Sequence, residues 1–284
     1  MSDLSAGKLF VVGTPIGNLQ DFSPRALEIL RQVDLIAAED TRHTRKLLSF
    51  FDIHTPLTSY HEHNEKTKAA QLVESLLEGK SVALVSDAGT PCISDPGYRL
   101  VNAARERGIR VVAVPGPSAI TAALSVCGLP TDTFTFHGFV PRKESETMKC
   151  LQSIADTGGT HVFFEAPGRL VKMLEQVEIS IPDAQVAVSR ELSKVHEETF
   201  WGTAAEVRRH FAETGVRGEC VVVIYAECAS KTPNPDVVQK AITDLMKTQG
   251  MTRSRAAREV AKRFGIPRNK VYALALSENP DDDY

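Results

Sequence analysis

Short, wholly apolar runs alternate with longer amphipathic ones through the first 115 residues. The apolar runs fall at 9–12, 35–38, 82–85 and 111–114. Runs apolar at every position suit strands covered on both faces, as in a parallel sheet. Between them lie predicted helices. Residues 24–32 begin with Ser23 as N-cap and Pro24 at the first helical position. Residues 67–78 set Ala70, Val73, Leu76 and Leu77 on one face and stop at Gly79, and residues 98–107 stop at Gly108. This strand–helix alternation predicts an α/β domain.

The pattern changes at residues 115–130. Pro115-Gly116-Pro117-Ser118 opens a small-residue helix at 119–126, which Gly128 and Pro130 end. A second α/β domain is expected beyond it, with strands at 133–139, 160–164, 185–188 and 220–225 and helices at 170–177 and 204–211. Its less regular connections predict mixed strand directions. Residues 230–235 read as a linker. Three helical patterns follow: 236–247 burying Val238, Ile242 and Leu245, 254–264 burying Ala257, Val260, Ala261 and Phe264, and 269–276 after a turn at Gly265-Ile266-Pro267. The predicted division is residues 1–118, 119–229 and a basic helical segment at 230–284.

Composition narrows the class. With 284 residues, 42% of them hydrophobic and 24% charged, the chain can bury a substantial core. A net charge of −3 rules out a polycationic whole-molecule surface, so any nucleic-acid contact must be local. The C-terminal segment supplies one: from Lys231 to Tyr272 there are ten basic residues (231, 240, 247, 253, 255, 258, 262, 263, 268 and 270) against three acidic ones, Asp236, Asp244 and Glu259. Glu278 and Asp281 to Asp283 offset part of that excess. The five cysteines form no CxxC pair, which predicts thiols in a reducing cytosol rather than disulfides or zinc. No basic leader with an apolar stretch opens the chain, and no apolar run nears the roughly 20 residues of a membrane span. A soluble, cytoplasmic protein without membrane contact is expected.

Three loops carry candidate chemistry. Gly13-Thr14-Pro15-Ile16-Gly17-Asn18 follows the first strand, but Thr14-Pro15 interrupts the glycines, which disfavours a nicotinamide dinucleotide site. Ser86-Asp87-Ala88-Gly89-Thr90-Pro91-Cys92-Ile93-Ser94-Asp95 follows the third. Its small residues leave backbone groups open to a ligand, while Asp95 serves equally as N-cap of a helix beginning at Pro96. Pro115 to Ala119 follows the fourth. All three lie at carboxyl ends of strands, where open α/β sheets bind ligands.

This trio resembles the tetrapyrrole methylase superfamily, and most closely its ribosomal RNA branch, the small subunit methyltransferase I family. The resemblance is carried by Gly13 to Leu19, Ala38-Glu39-Asp40-Thr41-Arg42, Ser59 to Glu65, Ser86 to Pro91, Pro115 to Ala119 and Ser189-Arg190-Glu191-Leu192-Ser193-Lys194. It spans residues 8–228. One departure is Ala166-Pro167-Gly168, where members of that family usually carry Ser-Pro-His, so no catalytic histidine is assigned there. The resemblance implies a two-domain fold with S-adenosylmethionine in the interdomain cleft. It further implies a homodimer and 2′-O-methylation of a cytidine in small-subunit (16S) ribosomal RNA, within the assembled subunit. Thr14, Pro15, Asp87, Ala88, Gly89, Thr90, Ile93, Ser118 and Ala119 match the first-domain side of the cofactor pocket. Phe164, Glu165, Leu192 and Glu219 match its second-domain side.

A ribose hydroxyl is a poor nucleophile while protonated, so a base or a nearby cation should help. Lys194 is the expected base, provided burial lowers its pKa. Arg190 is expected to neutralise a phosphate, and Glu191 completes that cluster. His61 and His63 with Glu62 and Glu65 lack a third ligand group of metal-site type. RNA contact or dimer packing fits them better, with Tyr60 stacking on a base. The C-terminal helices have a helix-turn-helix outline with basic residues opposite the apolar face. An ordinary solvated bundle accounts for the same pattern. Two other readings stand beside the RNA methyltransferase: a methyltransferase of a small tetrapyrrole, which has no use for a basic tail, and a non-catalytic RNA-binding module, which has none for three cofactor-type loops.

Overall fold

The computed structural model describes residues 7–228, 235–264 and 271. Strands β1 (Lys8–Val12), β2 (Leu35–Ala38), β3 (Leu57–Ser59), β4 (Val82–Val85) and β5 (Arg110–Val114) form an all-parallel sheet in the order β3-β2-β4-β1-β5. Alternate residues feed two apolar layers. Leu9, Val82 and Leu84 pack on one side; Val12, Ala83 and Val85 pack on the other. Burial on both faces is why every position in these runs is apolar.

Helices α1 (Pro24–Gln32), α2 (Thr41–Phe50), α3 (Glu65–Leu77) and α4 (Tyr98–Glu106) cover the sheet. The Ser23 side chain caps α1 by accepting from Ala26 N at 3.1 Å. In α3 the buried stripe is Ala69, Leu72, Val73 and Leu76, while Ala70 is exposed. Of the expected face, Val73 and Leu76 lie in this stripe and Leu77 packs half-buried against it, so only Ala70 was misplaced. Helix α2 and strand β3 were not anticipated. α2 buries only Thr44 and Leu48, too narrow an apolar stripe to announce a helix, and β3 is three half-buried residues.

After α5 (Ala119–Val126) comes the second sheet, ordered β6-β7-β10-β8-β9. Its strands are β6 (Phe134–Phe139), β7 (Gly159–Glu165), β8 (Gln185–Arg190), β9 (Glu198–Thr203) and β10 (Cys220–Ala226). Only β6 and β7 run parallel; the other pairs are antiparallel, the mixed sheet expected. Helices α6 (Glu144–Thr157), α7 (Pro167–Ser180) and α8 (Ala204–Thr214) bury one face. On the other face α5 sets Ile120, Ala123 and Leu124 against Val162, Ala187, Val221 and Val223. One helix thus belongs to the second sheet's core while its first residues belong to the first sheet's loops. Strand β9, not anticipated from the sequence, is an edge strand.

A separate compact unit begins at Cys228. In it α9 (Pro235–Gln249) and α10 (Arg253–Phe264) bury Val238, Ile242, Ala256, Ala257, Val260 and Val271 together. Arg255, Arg258, Lys262 and Arg263 are exposed on α10. The third expected helix, apart from Val271, and residues 230–234 of the expected linker lie outside the described residues. Among the described residues no helix is long and apolar enough to cross a membrane.

Candidate active site

The order β2-β4-β1-β5 makes neighbours of the loops that leave these strands, and the loops are stitched together. Thr14 N donates to Gly89 O at 2.9 Å, Gly89 N donates to Thr14 O at 3.1 Å, and Thr14 Oγ1 donates to Ser86 O at 3.2 Å. Gly89 sits at φ +77°, a left-handed conformation that favours glycine. On the other flank Gly13 N donates to Val114 O at 3.1 Å.

These loops form one wall of a cavity of about 410 Å³. Of the residues expected on this wall, Asp87, Ala88, Gly89, Thr90, Ile93, Ser118 and Ala119 line it. Phe164, Glu165, Leu192 and Glu219 form the opposite wall. Thr14 and Pro15 do not line it: both are buried beneath, and the half-buried Ile16 lines it instead. Thr14 is spent on the stitch to Gly89, so it shapes the site without facing it. Glu39, Asp95 and Phe139 also line the cavity and were missed. Glu39 was findable, since it ends β2 at the same carboxyl edge.

Every charged residue in the lining is a carboxylate. Asp40 N donates to Asp87 Oδ1 at 3.1 Å, and Asp87 N donates to Glu39 Oε2 at 3.4 Å. Burial, then the charge of Asp95, raises the Glu39 pKa; burial and Asp87 raise that of Asp95. Asp95 does not cap a helix. Helix α4 starts at Tyr98, and its N-cap is Gly97 at φ +147°, where a Cβ would lie 2.5 Å from Cys92 Sγ.

Glu165 is the most buried of the acids, its side chain 1% exposed. Oε1 accepts from Ala166 N at 2.8 Å; Oε2 lies 3.3 Å from Arg169 but makes no hydrogen bond. Burial, the largest influence, raises its pKa against the opposing pull of Ala166 N–H and Arg169. The folded state therefore holds this proton to higher pH than the unfolded chain does. Its contribution to stability is full below the ordinary value of 4.5 and is lost as pH rises through the folded value. At neutral pH the ionised group costs stability. Glu165→Gln should raise the melting temperature at pH 7 while weakening the binding of a cationic ligand. Arg169 keeps its bonds to Val140 O and Pro141 O at 2.9 and 2.8 Å. A lower melting temperature at pH 7 would show that the Arg169 pair outweighs the burial cost.

The expected catalytic cluster is placed differently. Lys194 Nζ donates to Glu191 Oε1 at 2.9 Å and to Glu219 Oε2 at 3.4 Å, which raises the Lys194 pKa and, through the same hydrogen bond, lowers that of Glu191. The anticipated lowering by burial does not occur, because two carboxylates hold the ammonium form. Arg190 Nε donates to Glu198 Oε2 at 2.6 Å, and His210 Nε2 lies 2.6 Å from Glu198 Oε1. Arg190 is thereby committed to a strand-end pair rather than presented to a phosphate. None of Arg190, Glu191 and Lys194 lines the cavity. Lys194 instead folds across Gly17, where a Cβ would meet its Cγ at 2.4 Å. The Ser193 hydroxyl bonds to Asp21 of the first domain. The turn is a clasp between the two walls.

Tyr60 is 1% exposed in the first-sheet core, so it cannot stack on a base. Among the described residues no group of three or more His, Cys, Asp or Glu side chains is placed to hold a metal ion.

Residues 8–208 match the model of the Tetrapyrrole (Corrin/Porphyrin) Methylases, and residues 232–279 match that of the RsmI C-terminal HTH domain. The chain is 43% identical to ribosomal RNA small subunit methyltransferase I of Synechocystis over 97% of its own length and 99% of that protein. With the protein of that name from Xylella fastidiosa it shares 45% identity, over 94% and 98%. Solved structures with the same fold include uroporphyrin-III-C-methyltransferase from Thermus thermophilus, at TM-score 0.55 and 19% identity, covering 77% of this chain and 94% of that one. Diphthine synthase matches at TM-score 0.58 and 18% identity, covering 78% and 90%.

Proposed function

The chain belongs to the tetrapyrrole methylase family, and from that membership we propose that it methylates small-subunit ribosomal RNA with S-adenosylmethionine, at the ribose 2′-oxygen of a cytidine. The observation that carries this reading is near full-length identity of 40% or more to proteins named ribosomal RNA small subunit methyltransferase I. The same reading includes a cytoplasmic homodimer acting on the assembled subunit.

The cavity suits that cofactor. Its volume falls in the range of sites that enclose small-molecule ligands. Glu39, Asp87, Glu165 and Glu219 around it complement a ligand that carries a sulfonium and an ammonium. When bound, S-adenosylmethionine supplies an electrophilic methyl group. The chain's part is alignment: Ala88, Gly89, Ser118 and Ala119 offer small, backbone-rich contacts, and Phe164 and Leu192 close the apolar side. Glu191 and Lys194 act as a positioning clasp. Exposed Arg255, Arg258, Lys262 and Arg263 suit phosphate contact, which makes RNA binding salt-sensitive. A small tetrapyrrole acceptor has no use for this segment.

Calorimetry with S-adenosylmethionine should show saturable binding. Labelled methyl should pass to small-subunit particles and be recovered as 2′-O-methylcytidine after digestion. Absence of binding sinks the methyltransferase reading. Label recovered on the base sinks the 2′-oxygen as acceptor.

A further inference from the structure

A second cavity, of about 560 Å³, adjoins the first. The two share Glu39, Ser94 and Asp95 as a common wall. A group lying in the second cavity therefore meets a ligand in the first across these side chains. The rest of its lining is mixed. Tyr98 is 71% exposed and offers an aromatic face. His63 offers ring nitrogens, His61 Nε2 lies 3.3 Å from the Asn64 side-chain amide, and Arg99 is paired to Glu65 at 2.6 Å. Glu39, Glu62 and Asp95 would repel a phosphate placed against them. The cavity instead fits the uncharged part of a nucleotide, a base to stack and a ribose to hydrogen-bond.

We propose that this second cavity is the acceptor-nucleoside subsite and that Asp95, in the shared wall, is the catalytic residue that receives the proton of the reacting hydroxyl. The proposal rests on the RNA-methylation reading above. Of the two acids in the wall, Glu39 is engaged by the backbone N–H of Asp87. Asp95 has beside it the hydroxyl of Ser86, which favours its ionised form and also reaches Ala88 O at 3.3 Å; Ser86 is 3% exposed in the loop that lines the first cavity. A carboxylate in the wall between donor and acceptor sites is placed for proton transfer. In the step the ribose oxygen forms a new bond to the methyl carbon and its proton passes to Asp95. The carbon–sulfur bond breaks with its electron pair remaining on sulfur, so the sulfonium leaves as a neutral thioether.

Burial, with the like charge of Asp87, raises the Asp95 pKa against the Ser86 hydroxyl, which favours the ionised form; the neighbouring Cys92 is a thiol that burial and Asp95 push up to about 11. His61, Glu62, His63, Glu65 and Arg99 face it across the second cavity. The raised pKa makes Asp95 a better proton acceptor than a solvated aspartate, and turnover should fall as pH drops through that value.

The test uses the full chain with S-adenosylmethionine and small-subunit particles. Asp95→Asn should lower kcat by about 100-fold or more, while the cofactor Kd by calorimetry stays within about threefold. Asp95→Glu should restore part of the rate and move the acid limb of the pH profile. Tyr98→Ala should raise the KM for the particle by about tenfold with cofactor affinity unchanged. Three results overturn the proposal: Asp95→Asn with kcat within about threefold of the parent, Asp95→Asn losing cofactor affinity in parallel with rate, or Tyr98→Ala with an unaltered KM. A parent protein that binds cofactor but labels no small-subunit RNA overturns the function reading instead, and that is seen before any variant is made.

Discussion

Gly13→Ala is expected to weaken cofactor binding and turnover by about 100-fold, the scale of loss that a misplacement near 1 Å produces. A Cβ at Gly13 would lie 2.9 Å from both Cα and N of Gly116, and one at Gly116 would lie 2.8 Å from Gly13 O. These neighbours are backbone, so no rotamer change relieves the contact and the two loops must part. Gly13 is adjacent to Thr14, which is bonded to Gly89 in both directions. The displacement therefore reaches the cavity wall at Gly89 on one flank and at Ser118 on the other. Overpacking of this kind costs about 1–3 kcal/mol of stability, so the variant should still fold. Calorimetry with S-adenosylmethionine provides the check. Parent-like affinity in the alanine variant would show that the loops can separate without moving the site.

Phe163→Ala should carry the largest stability cost, about 3–5 kcal/mol, with a fall in melting temperature on the order of 10 °C. Phe163 is 1% exposed in the middle of β7, packed in the core beneath α6, α7 and α8. Its ring stacks on His137 with centroids 4.5 Å apart and planes at 7°. Truncation leaves a cavity that strands paired on both sides cannot collapse to fill. Its neighbour Phe164 belongs to the core on the other face and lines the 410 Å³ cavity, so truncating Phe163 tests stability apart from the candidate site. Denaturant unfolding measures the cost. A loss below about 1 kcal/mol would mean that the core repacks around the missing ring.

The candidate site was legible where a local signal coincided with a strand end. The loops at Gly13, Ser86 and Pro115 each follow an apolar run, and the rule that ligands bind at carboxyl ends of parallel strands brought them to one edge. Eleven of the thirteen residues expected around the cofactor line the cavity. The two exceptions, Thr14 and Pro15, lie in the right loop but under its surface. Nothing in a linear motif distinguishes a residue that faces a ligand from one that holds the loop.

Side-chain chemistry was less legible, because charge depends on which neighbours the fold brings into contact. Lys194 reads as a candidate base only until Glu191 and Glu219 are seen to bracket it. Arg190 reads as a phosphate ligand until Glu198, on the next strand, takes its Nε. Tyr60 reads as a stacking platform until the packing of α3 and α4 buries it. Asp95 suits a helix cap by spacing, yet Gly97 ends up in that role and Asp95 joins two cavities.

By itself the sequence determined the periodicities, and with them the alternation of strand and helix, the parallel first sheet, the mixed second one and the three loops, since burial on one face or two is written into adjacent residues. The tertiary structure alone decided which loops are neighbours, which carboxylates share a wall and which cations are already paired. The strand order β3-β2-β4-β1-β5 brings the loops and their carboxylates together across separations of about 50 to 100 residues, the ends of β8, β9 and β10 pair the cations at shorter range, and in both cases pairing and desolvation, not residue type, settle what a side chain can do.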